Sequence, residues 1–121
     1  MALVSTLTGS GNAGLTAQAI VGFVSLAQTA SGAAQGSQTL PTAIVEYTAS
    51  TSNYGPTLPA AAAPGDQYTV FNNTANTIKV WPASGYKLNG GTADAALSLT
   101  TLKTATFTSL GNGNWVYNLT A

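Results

Sequence analysis

The sequence predicts an all-β domain, an antiparallel β-sandwich or barrel preceded by an extended N-terminal arm. Three observations carry this. From Leu40 onward, short runs of β-branched and aromatic residues alternate with polar ones, the period-two signature of half-buried strands. Turns containing Gly, Pro or Asn separate these runs at spacings of about ten residues, as in sandwiches and barrels. No segment after residue 40 has the period, the caps or the charge pairs of a helix.

The elements follow in order. Residues 1–38 are rich in Ala, Gly, Ser and Thr, with "GSGNAG" and "SGAAQGS" as flexible punctuation. Between these lies "LTAQAIVGFVSLAQTA", in which Ile20, Val21, Phe23, Val24 and Leu26 fit a buried strand or a short helix equally well. Gly22 and the β-branched residues favour extended structure. The sandwich domain occupies 39–121 and starts with "TAIVEYTAS". "NYGPTLPAAAAPGD" follows, and its three prolines forbid a central strand. In "QYTVFNN", Tyr68, Val70 and Asn72 alternate with Thr69 and Phe71; in "IKVWPAS", Ile78 and Val80 alternate with Lys79 and Trp81. "LSLTT", "ATFTSL" and "WVYNLTA" complete six or seven strands. Phe71 and Phe107 are expected in the core. "VWPASGYKLNGG" reads as a strand and two turns. Pro82 has no N–H to donate, Gly85 permits positive φ, and Asn89-Gly90 suits a tight turn with φ > 0 at both central residues.

Composition narrows the chemistry. The 121 residues suit one domain. Charged residues make up 5% of the chain, three Lys against three acids, where ordinary domains carry about 25%. Such a surface is solvated by Thr, Ser, Asn, Gln and backbone, and with zero net charge it favours association. Three lysines are too few to neutralise a nucleic-acid backbone. The apolar run at residues 19–27 is too short to span a membrane, and without a Lys or Arg before Lys79 it lacks the cationic start of a signal peptide.

Catalysis is not expected. There is no His and no Cys, and Glu46, Asp66 and Asp94 are scattered, whereas acid–base work uses His or paired carboxylates. Asp66 in "PGD" and Asp94 in "TADAA" read as turn residues, and Glu46 as facing solvent or a neighbouring subunit. The same three acids make a poor metal site. "GSGNAG" lacks the preceding strand and following Lys of a phosphate-cradling loop, so no cofactor is expected. "NNT" and "NLT" are chance glycosylation sequons. Trp81, Tyr86 and Trp115 are the candidate aromatics for a subunit interface or a ligand, with the core as the competing place for both Trp. In the arm, Leu3, Val4, Leu7 and Leu15 are the candidate contacts to a partner or a neighbouring subunit.

From about residue 58 to 118, the order is a proline-bounded loop, "PGD", a strand ending in Asn, a strand ending in "VWPASG", an "LNGG" turn, a short Leu strand, "KTATF" and "GNGNW". This resembles a small β-module of tailed-bacteriophage structural proteins, found in head decoration (cement) proteins and in tail fibre or spike proteins. The resemblance lies in turns and strand ends. It implies a β-sandwich or jelly-roll-like subunit, a homotrimer, and a place on the outer surface of the virion's capsid with the major capsid protein as partner. The alternative role it implies is a receptor-binding tail module that recognises host-surface carbohydrate. The chain's length and initial Met favour decoration.

Overall fold

The computed structural model describes residues 24–120. Seven strands account for its regular structure: β1 (Val24–Ala30), β2 (Ile44–Ser50), β3 (Gln67–Asn72), β4 (Ile78–Val80), β5 (Leu97–Leu99), β6 (Thr104–Ser109) and β7 (Trp115–Leu119). The fold is all-β. A five-stranded sheet in the order β1-β2-β3-β6-β7 is joined by a two-stranded β4-β5 sheet. The segment that fitted strand or helix is a strand from Val24; its first half lies outside the described residues, as does the proposed arm.

The sheet is mixed, where antiparallel pairing was expected throughout. β1 pairs with β2 and β2 with β3 in parallel, while β3–β6, β6–β7 and β4–β5 are antiparallel. The connections explain this. Parallel neighbours need a crossover of roughly a dozen residues or more, and segments 31–43 and 51–66 are both long enough. Only β6 and β7 are joined by a short hairpin, closed by Leu110 N–H donating to Asn114 C=O at 3.0 Å.

The second crossover is itself structural. Its residues 53–58 lie along the free edge of β4. Lys79 N–H donates to Tyr54 C=O, Trp81 N–H to Pro56 C=O, and Leu58 N–H to Trp81 C=O. Thr57 bridges both Thr39 and Trp81. Pro56, with no N–H, serves this ladder as an acceptor only. At Gly55 the backbone approaches the Lys79 carbonyl so closely that a Cβ would overlap it.

The core lies between the two sheets. Val45, Tyr47, Val70, Ala105, Phe107 and Trp115 come from the large sheet, Ile78, Val80, Leu97 and Leu99 from the small one, and Leu58 and Leu88 from loops. Phe107 is core, but Phe71 is half-buried on the opposite face. Phe71 alternates with Val70 and Asn72, and those two face inward, both fully buried. Register is therefore set by the Val70 face, and an aromatic one position off goes outward.

Asn72 stays in the core because its amide is fully paired. Its Nδ2 donates to the carbonyls of Asn76 and Leu99, both at 2.8 Å. Its Oδ1 accepts from the Thr74 N–H at 3.1 Å and the Thr74 hydroxyl at 2.7 Å. One side chain thus ties the β3–β4 turn to β5, which belongs to the other sheet.

Candidate functional site

The surface with most capacity for recognition is the outer face of the five-stranded sheet. Cross-strand partners share a face, so the registers define its rows. One row runs Val24, Ile44, Thr69, Thr106, Asn118; a second Glu46, Phe71, Thr104; a third Gln67, Thr108, Val116. Val24, Ile44 and Val116 are exposed, and the β6 threonines and Phe71 are half-buried. Glu46 is the single charge in these rows. The polar groups partly satisfy one another: Thr69 and Thr106 hydroxyls lie 3.4 Å apart, and Gln67 Nε2 donates to Thr108 Oγ1 at 3.2 Å. The result is a nearly uncharged face of threonine methyls, aliphatic side chains and one aromatic.

Its two edges differ. At β7 the edge is covered by 87–89. Trp115 N–H donates to Lys87 C=O, and Asn89 N–H to Trp115 C=O. The Asn89 side chain then clasps the next peptide, its Oδ1 accepting from Tyr117 N–H at 2.8 Å and its Nδ2 donating to Tyr117 C=O at 3.4 Å. Asn89 and Gly90 have φ of 50° and 67°, and Gly91 N–H donates to Leu88 C=O, so the expected tight turn is what aims this clasp. At β1 the edge carries exposed Val24 and Leu26 and an irregularity at Ala27, where φ is 54°. Glu46 Oε1 accepts from Ala27 N–H at 3.3 Å, and its Oε2 accepts from Asn73 Nδ2 at 3.2 Å. Glu46 thus lies on the outer face, the direction its alternation with Val45 and Tyr47 predicted, and there it also staples the irregular strand.

The other acids play similar parts, in separate places. Asp66 accepts from Ala63 N–H at 3.0 Å, within its turn. Asp94 accepts from Gly85 N–H at 2.6 Å and Gln35 Nε2 at 3.0 Å. These bonds, the Gly85 one first, hold its carboxyl below the usual range. Among the described residues no three His, Cys, Asp or Glu gather as a metal site would require.

The three candidate aromatics part company. Trp115 is fully buried, its Nε1–H donating to Pro59 C=O at 3.2 Å and its ring edge-on to Tyr68 at 5.7 Å between centroids. It cannot face a ligand. Trp81 and Tyr86 are half-buried, and the Tyr86 ring lies against Gly113. Leu3, Val4, Leu7 and Leu15 lie outside the described residues.

Sequence reasoning missed a pocket of about 150 Å³ lined by Gly36, Thr39, Leu40, Thr57, Leu58, Pro59 and Tyr68. It is mostly apolar, and the Thr57 hydroxyl is already engaged, accepting from Gly36 N–H at 2.7 Å. No periodic signal marks it, because its walls come from both crossovers and the start of β3.

No protein-family model matches the chain, and no curated protein matches it either.

Proposed function

We propose that this protein is a capsid decoration protein of a tailed bacteriophage, binding the outside of the head and reinforcing it. The observation that carries the reading is the nearly uncharged outer face of the five-stranded sheet. Such a face fits broad apolar and backbone-mediated contact with another protein, where charged groups would each need a partner on desolvation. The reading draws also on the resemblance of residues 58–118 to the phage β-module. In this assignment the major capsid protein is the partner, the subunits act as a homotrimer, and Leu3, Val4, Leu7 and Leu15 of the arm add apolar contacts to the head. The carbohydrate-binding alternative is weaker. Stacking platforms need accessible aromatic faces, and the Trp115 ring is inside the core.

The test is reconstitution. Purified protein is mixed with phage heads that lack it, and the heads are pelleted and heated. Saturable co-sedimentation and a higher temperature of head disruption are expected. Failure to bind heads, together with binding to tails or to host surface glycan, would overturn the assignment. Deleting residues 2–14 should lower affinity for heads and leave the melting temperature of the free protein nearly unchanged.

A further inference from the structure

We propose that Asn89-Gly90 is a site of spontaneous covalent modification, where loss of the Asn89 side-chain amide as ammonia unfastens the clasp on the β7 edge. The inference does not depend on the capsid reading.

The turn that aims the clasp also sets up the reaction. It is closed by Gly91 N–H donating to Leu88 C=O at 3.0 Å, with φ of 50° at Asn89 and 67° at Gly90. The N–H between the two central residues lies outside such a closing bond, and Gly90 N–H has no partner among the described residues. Asn89 and Gly90 are both exposed, and the space where a Gly90 Cβ would stand is open. The Gly90 nitrogen is therefore an unhindered nucleophile at the spacing from Asn89 Cγ that closes a succinimide ring. The Asn89 amide is held in a way that suits attack. Tyr117 N–H lies 2.8 Å from Oδ1, in place to donate to the oxyanion that forms as nitrogen adds to Cγ. The amino group that leaves is held by Tyr117 C=O at 3.4 Å, longer than an ordinary hydrogen bond.

Water is the only co-reactant. The Gly90 nitrogen gives up its proton and bonds to Asn89 Cγ; the Cγ–Nδ2 bond breaks, and the side-chain nitrogen leaves with a proton as ammonia. Water then opens the succinimide at either carbonyl. The product is aspartate or, with the chain rerouted through Cγ, isoaspartate. Either product lacks the N–H that was donated to Tyr117 C=O and sets a carboxylate against that carbonyl. Either also adds one negative charge to a chain of zero formal net charge.

The chain's other Asn-Gly pair, Asn112-Gly113, is the internal control. Gly113 is buried with the Tyr86 ring packed against it, and Asn112 Oδ1 accepts from Asn114 N–H at 3.1 Å. The two pairs have the same intrinsic chemistry, and the fold exposes one nucleophile and covers the other.

Trypsin separates the two pairs, because it cuts only after Lys79, Lys87 and Lys103. Fragment 88–103 carries Asn89 as its only side-chain amide, and fragment 104–121 carries Asn112. Folded protein held at mildly alkaline pH should gain the mass of an amide-to-acid exchange in 88–103 and keep the parent mass in 104–121. In denaturant both fragments should convert. The acidic form of the whole chain, separated by anion exchange, should melt below the parent, and so should Asn89→Asp. A folded protein in which 88–103 does not convert, conversion of 104–121 there at an equal or greater rate, or an acidic form that melts like the parent would each overturn the inference.

Discussion

Tyr47 has no exposed surface, and among the described residues its hydroxyl is the buried side-chain polar atom without a hydrogen-bond partner. Burial disfavours the phenolate and pushes its pKa up to about 12. Below pH 10 folded and unfolded chains both keep the proton. Between about pH 10 and 12 the unfolded chain releases it and the folded chain does not, so stability falls by up to about 1.4 kcal/mol per pH unit. Tyr47→Phe should remove that component and cost nothing at neutral pH, with a gain of up to about 1 kcal/mol from losing the unpaired hydroxyl. Denaturant unfolding of both proteins at pH 8 and pH 11 checks it; equal losses on going to pH 11 would refute the assignment. Asn72 is the opposite case, a buried polar group with every bond made. Asn72→Leu strands the Leu99 and Asn76 carbonyls and should cost about 2–4 kcal/mol by the same measurement at neutral pH. Its inward direction was missed in the sequence, where the neighbouring Phe71 was expected in the core and the shared face of Val70 and Asn72 therefore outside it. Its partners were not legible either, because Thr74, Asn76 and Leu99 converge on it only once the two sheets are stacked.

Among the elements, every strand after residue 40 was legible, since each shows alternation and is bounded by turn residues. The direction of pairing was not legible. Alternation fixes which side chains share a face and says nothing of which neighbour a strand joins, so the parallel β1–β2–β3 arrangement waits on where the long connections run. The prolines of the second crossover correctly excluded a central strand and hid that residues 53–58 pair with β4 all the same. Gly55→Ala tests that docking. A methyl driven against the Lys79 carbonyl should cost about 1–3 kcal/mol, read as a lower denaturant midpoint at unchanged slope. The outer face suffered the same limit: its threonines were visible in "TATFTS", and Phe71 was assigned to the wrong side of the sheet. At the β7 edge, Asn89→Gly keeps the backbone freedom of the turn and deletes the clasp on Tyr117. Stability should fall by about 1 kcal/mol, and light scattering on heating should rise earlier than in wild type, as an unguarded edge invites pairing.

For the whole molecule, the scarcity of charge sets the response to solution conditions. No side chain of this sequence has an ordinary pKa between the carboxylates and the tyrosines and lysines, because His and Cys are absent. Thermal stability should therefore be flat from about pH 5 to 9. Below that, Asp94 contributes: its lowered pKa means that its stabilising bonds to Gly85 and Gln35 are intact at neutral pH and are lost as pH falls through the depressed value. Melting temperatures across pH 3 to 9 check the plateau and the acid side, and a step near pH 6.5 would contradict it.

The crossovers also decide the order in which the chain can fold. The β6–β7 hairpin is local and can close within microseconds. Pairing β2 with β3 must first bring the ends of segment 51–66 together, and that loop-closure entropy is spent before any contact returns it. The hairpin is thus the natural nucleus and the crossover a late event. Substitutions in the Leu110–Asn114 turn should slow refolding, whereas Gly55→Ala should act chiefly by hastening unfolding. Until the crossover docks, the inner edge of β3 stands open in a chain with almost no charge to hold copies apart. Refolding yield should accordingly decline as protein concentration rises.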